Sequence, residues 1–411
     1  MTKVIIIGGG VVGTSIAWHL AQEPDSDVLL LERDQLSAGT TWHSAGNITW
    51  IPIPAHDAPV LYAFETIKRL EAMALNTGWL RTGRIFLGSS PAVLASLETF
   101  HNAAHSRGFA AQWLTPADAQ SLNPHLQTSK VEGLWLNPLS GRLNPSDLTQ
   151  AYAAAARRSG AKIVQGIAVR SIVATAGKIT GVETHEGFVP ADHVVVAAGL
   201  WSRSLLEPLG ISLSQWPCEH FYVIANVTPR LSRETPSFVA PDKLIYGREE
   251  VGSLLIGCFD EDAKTIDPAD LPEPFTFTLL PPDWDKIAPY FMRAVELLPA
   301  LESAPVHRFI NGPESFTPDG LPFIGRISDF EGLVVATAMN SAGVTFSAMA
   351  GALVTSLVAE REAPFPAKIY EPMRFGNRGA DLAWLKPQIS AIVSKEYRES
   401  SLTHDHTVTF T

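Results

Sequence analysis

The N-terminal stretch MTKVIIIGGGVVGTSIAWHLAQEPDSDVLLLERD constrains the fold more than any other part of the chain. KVIIIGG reads as a short buried strand, TSIAWHLAQE as a helix, and SDVLLLERD as a second buried strand ending at Glu32. Between the first strand and the helix, Gly8, Gly10 and Gly13 stand in a GxGxxG frame. Gly8 permits the tight turn, Gly10 lets a pyrophosphate approach the backbone, and Gly13 lets helix and strand pack closely. The helix N-terminus offers free N–H groups and a partial positive charge to phosphates. Glu32, nineteen residues beyond Gly13, is placed to accept from ribose hydroxyls. Glycines alone would be weak evidence, but this order of elements predicts a Rossmann-type dinucleotide unit. No second GxGxxG follows. Enzymes that pass electrons from NAD(P)H to a bound flavin usually have two such units, so a single one leaves FAD or a simple NAD dehydrogenase.

The chain has 411 residues, enough for two domains, with 46% hydrophobic and 18% charged residues, as in a soluble globular enzyme. A formal charge of −11 argues against nucleic acid or an anionic membrane surface as partner. Cys218 and Cys258 form no CxxC and read as core thiols of a reducing compartment. No basic n-region with a long apolar stretch opens the chain, and no apolar run reaches the roughly 18 residues of a membrane helix. The expectation is a cytoplasmic protein without membrane insertion and without a metal site.

Further along, HDAPVLYAFETIKRLEAMALNTG has apolar residues at helical spacing, PAVLASLETFHNAAHSRG is a helix opened by Pro91, and Asn144 or Ser146 caps the alanine-rich helix that follows. From about 206 to 307 prolines are frequent, and WPCEHFYVIANV, DKLIYGRE and GSLLIGCFD resemble antiparallel strands. The predicted fold is therefore α/β: a discontinuous dinucleotide domain (1–75, 140–205 and 308–375), an inserted α+β substrate domain on an antiparallel sheet (76–139 and 206–307), and a C-terminal tail (376–411).

Six segments, VIIIGGGVVGTSIAWHLA, LLERDQLSAGTTWHSAGN, GRLNPSDLTQAYAAAARRSGAKI, VVVAAGLWS, NGPESFTPDGLPFIG and NSAGVTF, resemble the FAD-dependent amine oxidoreductases of the D-amino-acid oxidase superfamily. TTWHSAG and NGPESFTPDG are similar to its dimethylglycine and sarcosine dehydrogenase branch. That resemblance implies FAD bound covalently through the TTWH histidine, here His43. Eleven residues separate it from Glu32, an extended reach of up to roughly 36 Å, compatible with the span between the ribose and ring ends of FAD. A neutral imidazole can attack the activated ring methyl. Relatives that attach FAD through a cysteine carry it near the TPD segment, where this chain has none. The resemblance also implies cofactor contacts from Arg33, Ser37, Gly39, Thr40 and Thr41, from Val169 near the adenine, from Ala198, Gly199 and Trp201, from Gly325, and from Gly343 and Val344, which open a small-residue helix.

The reaction implied is hydride transfer from a carbon beside the nitrogen of a small amine to FAD, then imine hydrolysis. The N-methyl amino acids sarcosine, dimethylglycine or a methylated proline would release formaldehyde, with O2 or an electron-transfer protein as electron acceptor. An aliphatic amine has a pKa of about 10, so the site must favour its neutral form. His220 in CEHFYV and Tyr246 in KLIYGRE match active-site residues of the family. Arg84, Arg248 and Lys264 are the candidates to hold a substrate carboxylate, and sequence does not choose among them. The larger family members continue into a folate-binding domain; only 34 residues follow MRFGN here, so no folate handling is expected within this chain. Two alternatives remain at this point: deamination of a primary or cyclic amino acid, and a flavin-carrying subunit of a multi-subunit oxidase.

Overall fold

The computed structural model describes residues 1–399. Its first layer is a six-stranded sheet in the order Phe323–Arg326, Leu333–Thr337, His193–Val196, Thr2–Ile7, Ser26–Glu32, Lys162–Gln165. Every neighbouring pair is parallel except the Phe323–Arg326 edge. Val4 to Ile7 are all buried, as a central strand covered on both faces requires. The helix Val11–Leu20 is buried along all ten residues, including Thr14, Ser15 and His19, because it is packed by the helices Pro145–Arg158 and Gly343–Val358 as well as by the sheet. Asn144 caps the former, accepting from the N–H groups of Ser146 and Asp147. Strands Val169–Thr175, Lys178–Thr184 and Gly187–Pro190 form a separate three-stranded antiparallel sheet.

The second layer is an eight-stranded sheet ordered Val306–Phe316, Trp216–Ala225, Ser253–Cys258, Ile245–Glu250, Ser237–Ala240, Arg84–Gly88, Gly133–Asn137, Gln112–Trp113. It is antiparallel except where Ser237–Ala240 meets Arg84–Gly88. The strand Val306–Phe316, which the boundary at 308 divides, forms one edge of this sheet and is paired with Trp216–Ala225 over its whole length. The tail contributes a helix, Leu382–Glu399, whose Leu385, Ile389 and Val393 pack on Trp216, Cys218 and Phe316. Cys218 and Cys258 are free and buried. Among the described residues no helix is long and apolar enough to cross a membrane, and no group of three or more metal-ligating side chains occurs.

Candidate active site

The carboxyl ends of Thr2–Ile7, Ser26–Glu32, His193–Val196 and Leu333–Thr337 open into one long cavity, the crevice in which sheets of this kind bind ligands. At its middle the chain turns at Gly8, with φ of 112°, where an added Cβ would lie 2.5 Å from the carbonyl oxygen of Ala197. Gly13 does not line the cavity. Its missing Cβ would lie 2.0 Å from the Gly8 carbonyl oxygen, so it serves helix–strand contact. Glu32 accepts from the N–H of Gly9 at 2.6 Å and of Asp34 at 2.9 Å. Burial raises its carboxyl pKa, and those two donors oppose the rise.

Most of the predicted cofactor residues come together here. Gly8, Gly10, Glu32, Arg33, Gly39, Thr40, Thr41, Val169, Ala198, Gly199, Trp201, Gly343 and Val344 all line the cavity. Arg33 stacks 4.0 Å over the Trp201 ring, and Thr41 accepts from the N–H of Val11 at the first helix turn. Ser37 lies behind the lining, with φ of 70° and its N–H bound to the Gly9 carbonyl. The structure places Gly325 elsewhere: its missing Cβ would lie 2.6 Å from Cδ of Pro372, so it is a packing glycine outside the cavity lining.

Thr40–His43 forms a single 3-10 turn, tied to the edge strand of the large sheet because Thr40 Oγ1 donates to the Pro313 carbonyl at 3.1 Å. The turn lays the His43 ring on Gly312: a Cβ built there would lie 2.3 Å from Cε1 and 2.6 Å from Nε2. Gly312 is paired across the ladder with His220 and stands two residues before Glu314, so both flank that seat on the same face. His43 is buried, and its Nε2 has no hydrogen-bond partner among the described residues. Its pKa is lowered to about 4, chiefly by burial; Glu314 opposes this and His220 adds to it. The imidazole is therefore neutral near pH 7.

A second glycine seat lies on the same sheet. The Tyr246 ring covers Gly257, where a Cβ would lie 2.3 Å from its hydroxyl. That hydroxyl is 3.4 Å from Nε2 of His220. His220 and Tyr246 are thus together, next to His43 and outside the lining of the dinucleotide cavity itself. Sequence reasoning missed Glu314, Asn340 and Ser341, which do line the cavity. Ser341 donates to the Glu314 carboxylate, and the Asn340 side chain accepts from the Thr317 N–H at 2.8 Å. Ala338, Asn340 and Ser341 all have positive φ, a strained loop ahead of the helix Gly343–Val358.

A family model described as FAD dependent oxidoreductase (DAO) matches residues 3–357. Over 397 residues the chain is 31% identical to 4-methylaminobutanoate oxidase (formaldehyde-forming) of Paenarthrobacter nicotinovorans, covering 96% of this chain and 48% of that protein. It is 32% identical over 357 residues to the mitochondrial pyruvate dehydrogenase phosphatase regulatory subunit of Mus musculus, covering 85% and 40%. To the mitochondrial dimethylglycine dehydrogenase of Mus musculus it is 30% identical over 387 residues, covering 91% and 44%. The chain thus spans about half or less of the length of these curated relatives. The solved L-proline dehydrogenase from P. horikoshii superposes with a TM-score of 0.80 at 24% identity, covering 91% of this chain and 97% of that one, and shares the fold.

Proposed function

The chain belongs to the FAD dependent oxidoreductase family, close to the dimethylglycine and sarcosine dehydrogenase branch, and from that premise we propose that it oxidises a secondary or tertiary N-methyl amine and releases formaldehyde. The observation that carries this reading is the neutral His43 imidazole on Gly312, its Nε2 without a hydrogen-bond partner among the described residues, beside the cavity and next to the His220–Tyr246 pair. FAD would lie with its ribose at Glu32, its pyrophosphate along Gly8–Gly10 and the first helix turn, and its ring end toward Gly343 and His43, which attaches it covalently. When bound, FAD supplies the acceptor for a hydride from the carbon beside nitrogen.

The protein's own residues have separate tasks. His220 takes the proton of the incoming ammonium, so that the nitrogen lone pair is free when hydride leaves; Tyr246 holds the imidazole from its Nε2 side. Loss of hydride from the N-methyl carbon leaves an iminium. Water adds to it, the carbon–nitrogen bond breaks, and the products are the demethylated amine, formaldehyde and a proton. The reoxidant is O2 or an electron-transfer protein.

Anaerobic mixing of the flavin-loaded chain with N-methyl amines tests the reading: flavin bleaching with one formaldehyde per turnover is expected. Bleaching with ammonia and no formaldehyde would mean deamination. No bleaching would favour a flavin-carrying subunit, a reading that the likeness to a phosphatase regulatory subunit keeps specific. His220→Ala should slow bleaching by about 10²–10⁴-fold with FAD loading complete.

A further inference from the structure

The connection between the strand Ser253–Cys258 and the helix Trp284–Leu297 holds one regular element among its described residues, the 3-10 turn Pro268–Asp270. So long a connection without structure of its own is uncommon in a compact domain unless it is a lid or a binding loop. Both of its ends are fixed to the large sheet. Ile266 donates its N–H to the Pro217 carbonyl at 2.9 Å, and Leu280 donates its N–H to the Asn311 carbonyl at 2.8 Å. The Asn311 side chain donates in turn to the Pro281 carbonyl at 2.9 Å.

The middle of the segment leaves that sheet and meets the dinucleotide layer on two shores. Phe275 lines the cavity and clusters with Leu200 and Trp201, which follow the strand His193–Val196. Phe277 donates its N–H to the Ala38 carbonyl at 3.0 Å and sets its ring edge-on to Trp42, with centroids 5.9 Å apart; Ala38 and Trp42 follow the strand Ser26–Glu32. Thr2–Ile7, which ends at the Gly8 turn, lies between those two strands, so the segment bridges the crevice. The same Trp42 ring stands edge-on to His43 at 5.7 Å. Phe277 itself has φ of 48°, a left-handed backbone that disfavours any residue with a side chain. Its ring is 44% exposed, so little burial offsets that strain. On this shore a backbone hydrogen bond and an aromatic contact work against local strain, a balance weak enough to open while both ends stay on the sheet.

We propose that Asp267–Pro282 is a strap that opens to admit FAD and closes across it, with the Phe277 ring on Trp42 as its latch; this rests on FAD as the ligand of the cavity. The test uses the full chain produced without flavin, before and after loading with FAD, and needs no turnover. Chymotrypsin should cut the flavin-free chain after Phe275 or Phe277, and loading should slow that cut by at least about tenfold, because a ligand under the strap draws the closed form. FAD uptake, followed by the change in flavin fluorescence on mixing, should be about fivefold faster in Phe277→Ala, which keeps the backbone strain and loses the ring contact. Phe277→Tyr keeps the ring and should match wild type. Proteolysis of wild type serves alone if the alanine variant does not fold. Equal cutting of the strap with and without FAD, cutting only outside it, or unchanged uptake in folded Phe277→Ala overturns the latch while the FAD reading stands. No uptake of FAD by any of these proteins overturns the FAD reading and the strap with it.

Discussion

His19 and His43 are alike in almost every respect that usually marks a functional histidine. Both are buried, and burial lowers both to a pKa of about 4. Each ring rests on a glycine: His19 on Gly351, where a Cβ would lie 2.2 Å from Nδ1, and His43 on Gly312. They differ in what their nitrogens touch. His19 Nδ1 meets the Ser15 carbonyl at 2.8 Å, and Nε2 meets the Tyr62 hydroxyl at 3.1 Å. His43 Nε2 has no hydrogen-bond partner among the described residues. Burial, a shifted pKa and a glycine seat therefore do not separate a structural histidine from a reactive one. The proposed attachment rests instead on the unsatisfied nitrogen beside the cavity, because a buried polar atom left unpaired costs about 1–3 kcal/mol unless something else completes it.

The sharpest break of this comparison is in covalent flavin. Wild-type protein precipitated in acid should stay yellow, with an intact mass larger by one FAD. His43→Ala should lose all of that retained flavin. Gly312→Ala should do the same, because its methyl would occupy the space of the His43 ring. Gly351→Ala crowds His19 in the same way, yet should keep its flavin. Free flavin in the wild-type supernatant would show that His43 is the second structural histidine of the pair.

Stability should order the two histidines the other way. His19→Ala removes two satisfied contacts and leaves a cavity between the helices Val11–Leu20 and Gly343–Val358, a loss of about 2–4 kcal/mol by urea unfolding of the flavin-free chain. His43→Ala removes an unsatisfied nitrogen along with its packing, so its cost should be smaller. Equal costs would mean that His43 has a partner after all.

The pH dependence follows from the same pair. Both folded pKa values lie below the ordinary 6.5, so the unfolded chain takes up protons first. The associated stability is present above pH 6.5 and is lost as pH falls toward 4, by up to about 3 kcal/mol for each ring. His19→Gln should flatten that acid limb in urea titrations of the flavin-free protein. An unchanged limb would place the proton uptake elsewhere.

How much of this was readable beforehand depends on the range of the interaction. The strand–glycine–helix unit and Glu32 are local: Gly8, Gly10 and Glu32 line the cavity, and Gly13 sits at the close helix–strand approach that its place in the motif suggests. His43 was readable through TTWH. Its neighbours were not, because Gly312, Glu314 and His220 meet only through the register of Trp216–Ala225 with Val306–Phe316, strands about 90 residues apart. Asn340 and Ser341 carry positive φ without being glycine, so no residue type announced their turn. Gly325 shows the opposite error: a glycine in a familiar motif whose actual use is to admit Pro372. Arg84, Arg248 and Lys264 were equal candidates in the sequence, and only the structure shows Arg248 ion-paired with Glu250, Lys264 with Glu219, and Arg84 donating to the Thr49 hydroxyl.

The smallest expected effect concerns Glu314, the neighbour that His19 lacks. If His43 attaches FAD, as proposed, its imidazole would gain positive charge before its proton leaves. Glu314 lines the cavity, shares the sheet face on which His43 is seated, and favours the protonated form of that ring. Through a partly solvated gap such a charge contributes about 1 kcal/mol. Glu314→Gln keeps the shape and a hydrogen-bonding partner for Ser341 while removing the charge. The rate at which apoprotein mixed with FAD gains acid-stable flavin should then fall by about fivefold, with FAD affinity and the final extent of attachment unchanged. An unchanged rate would reduce Glu314 to a partner of Ser341 and leave the seat on Gly312 as the whole difference between the two histidines.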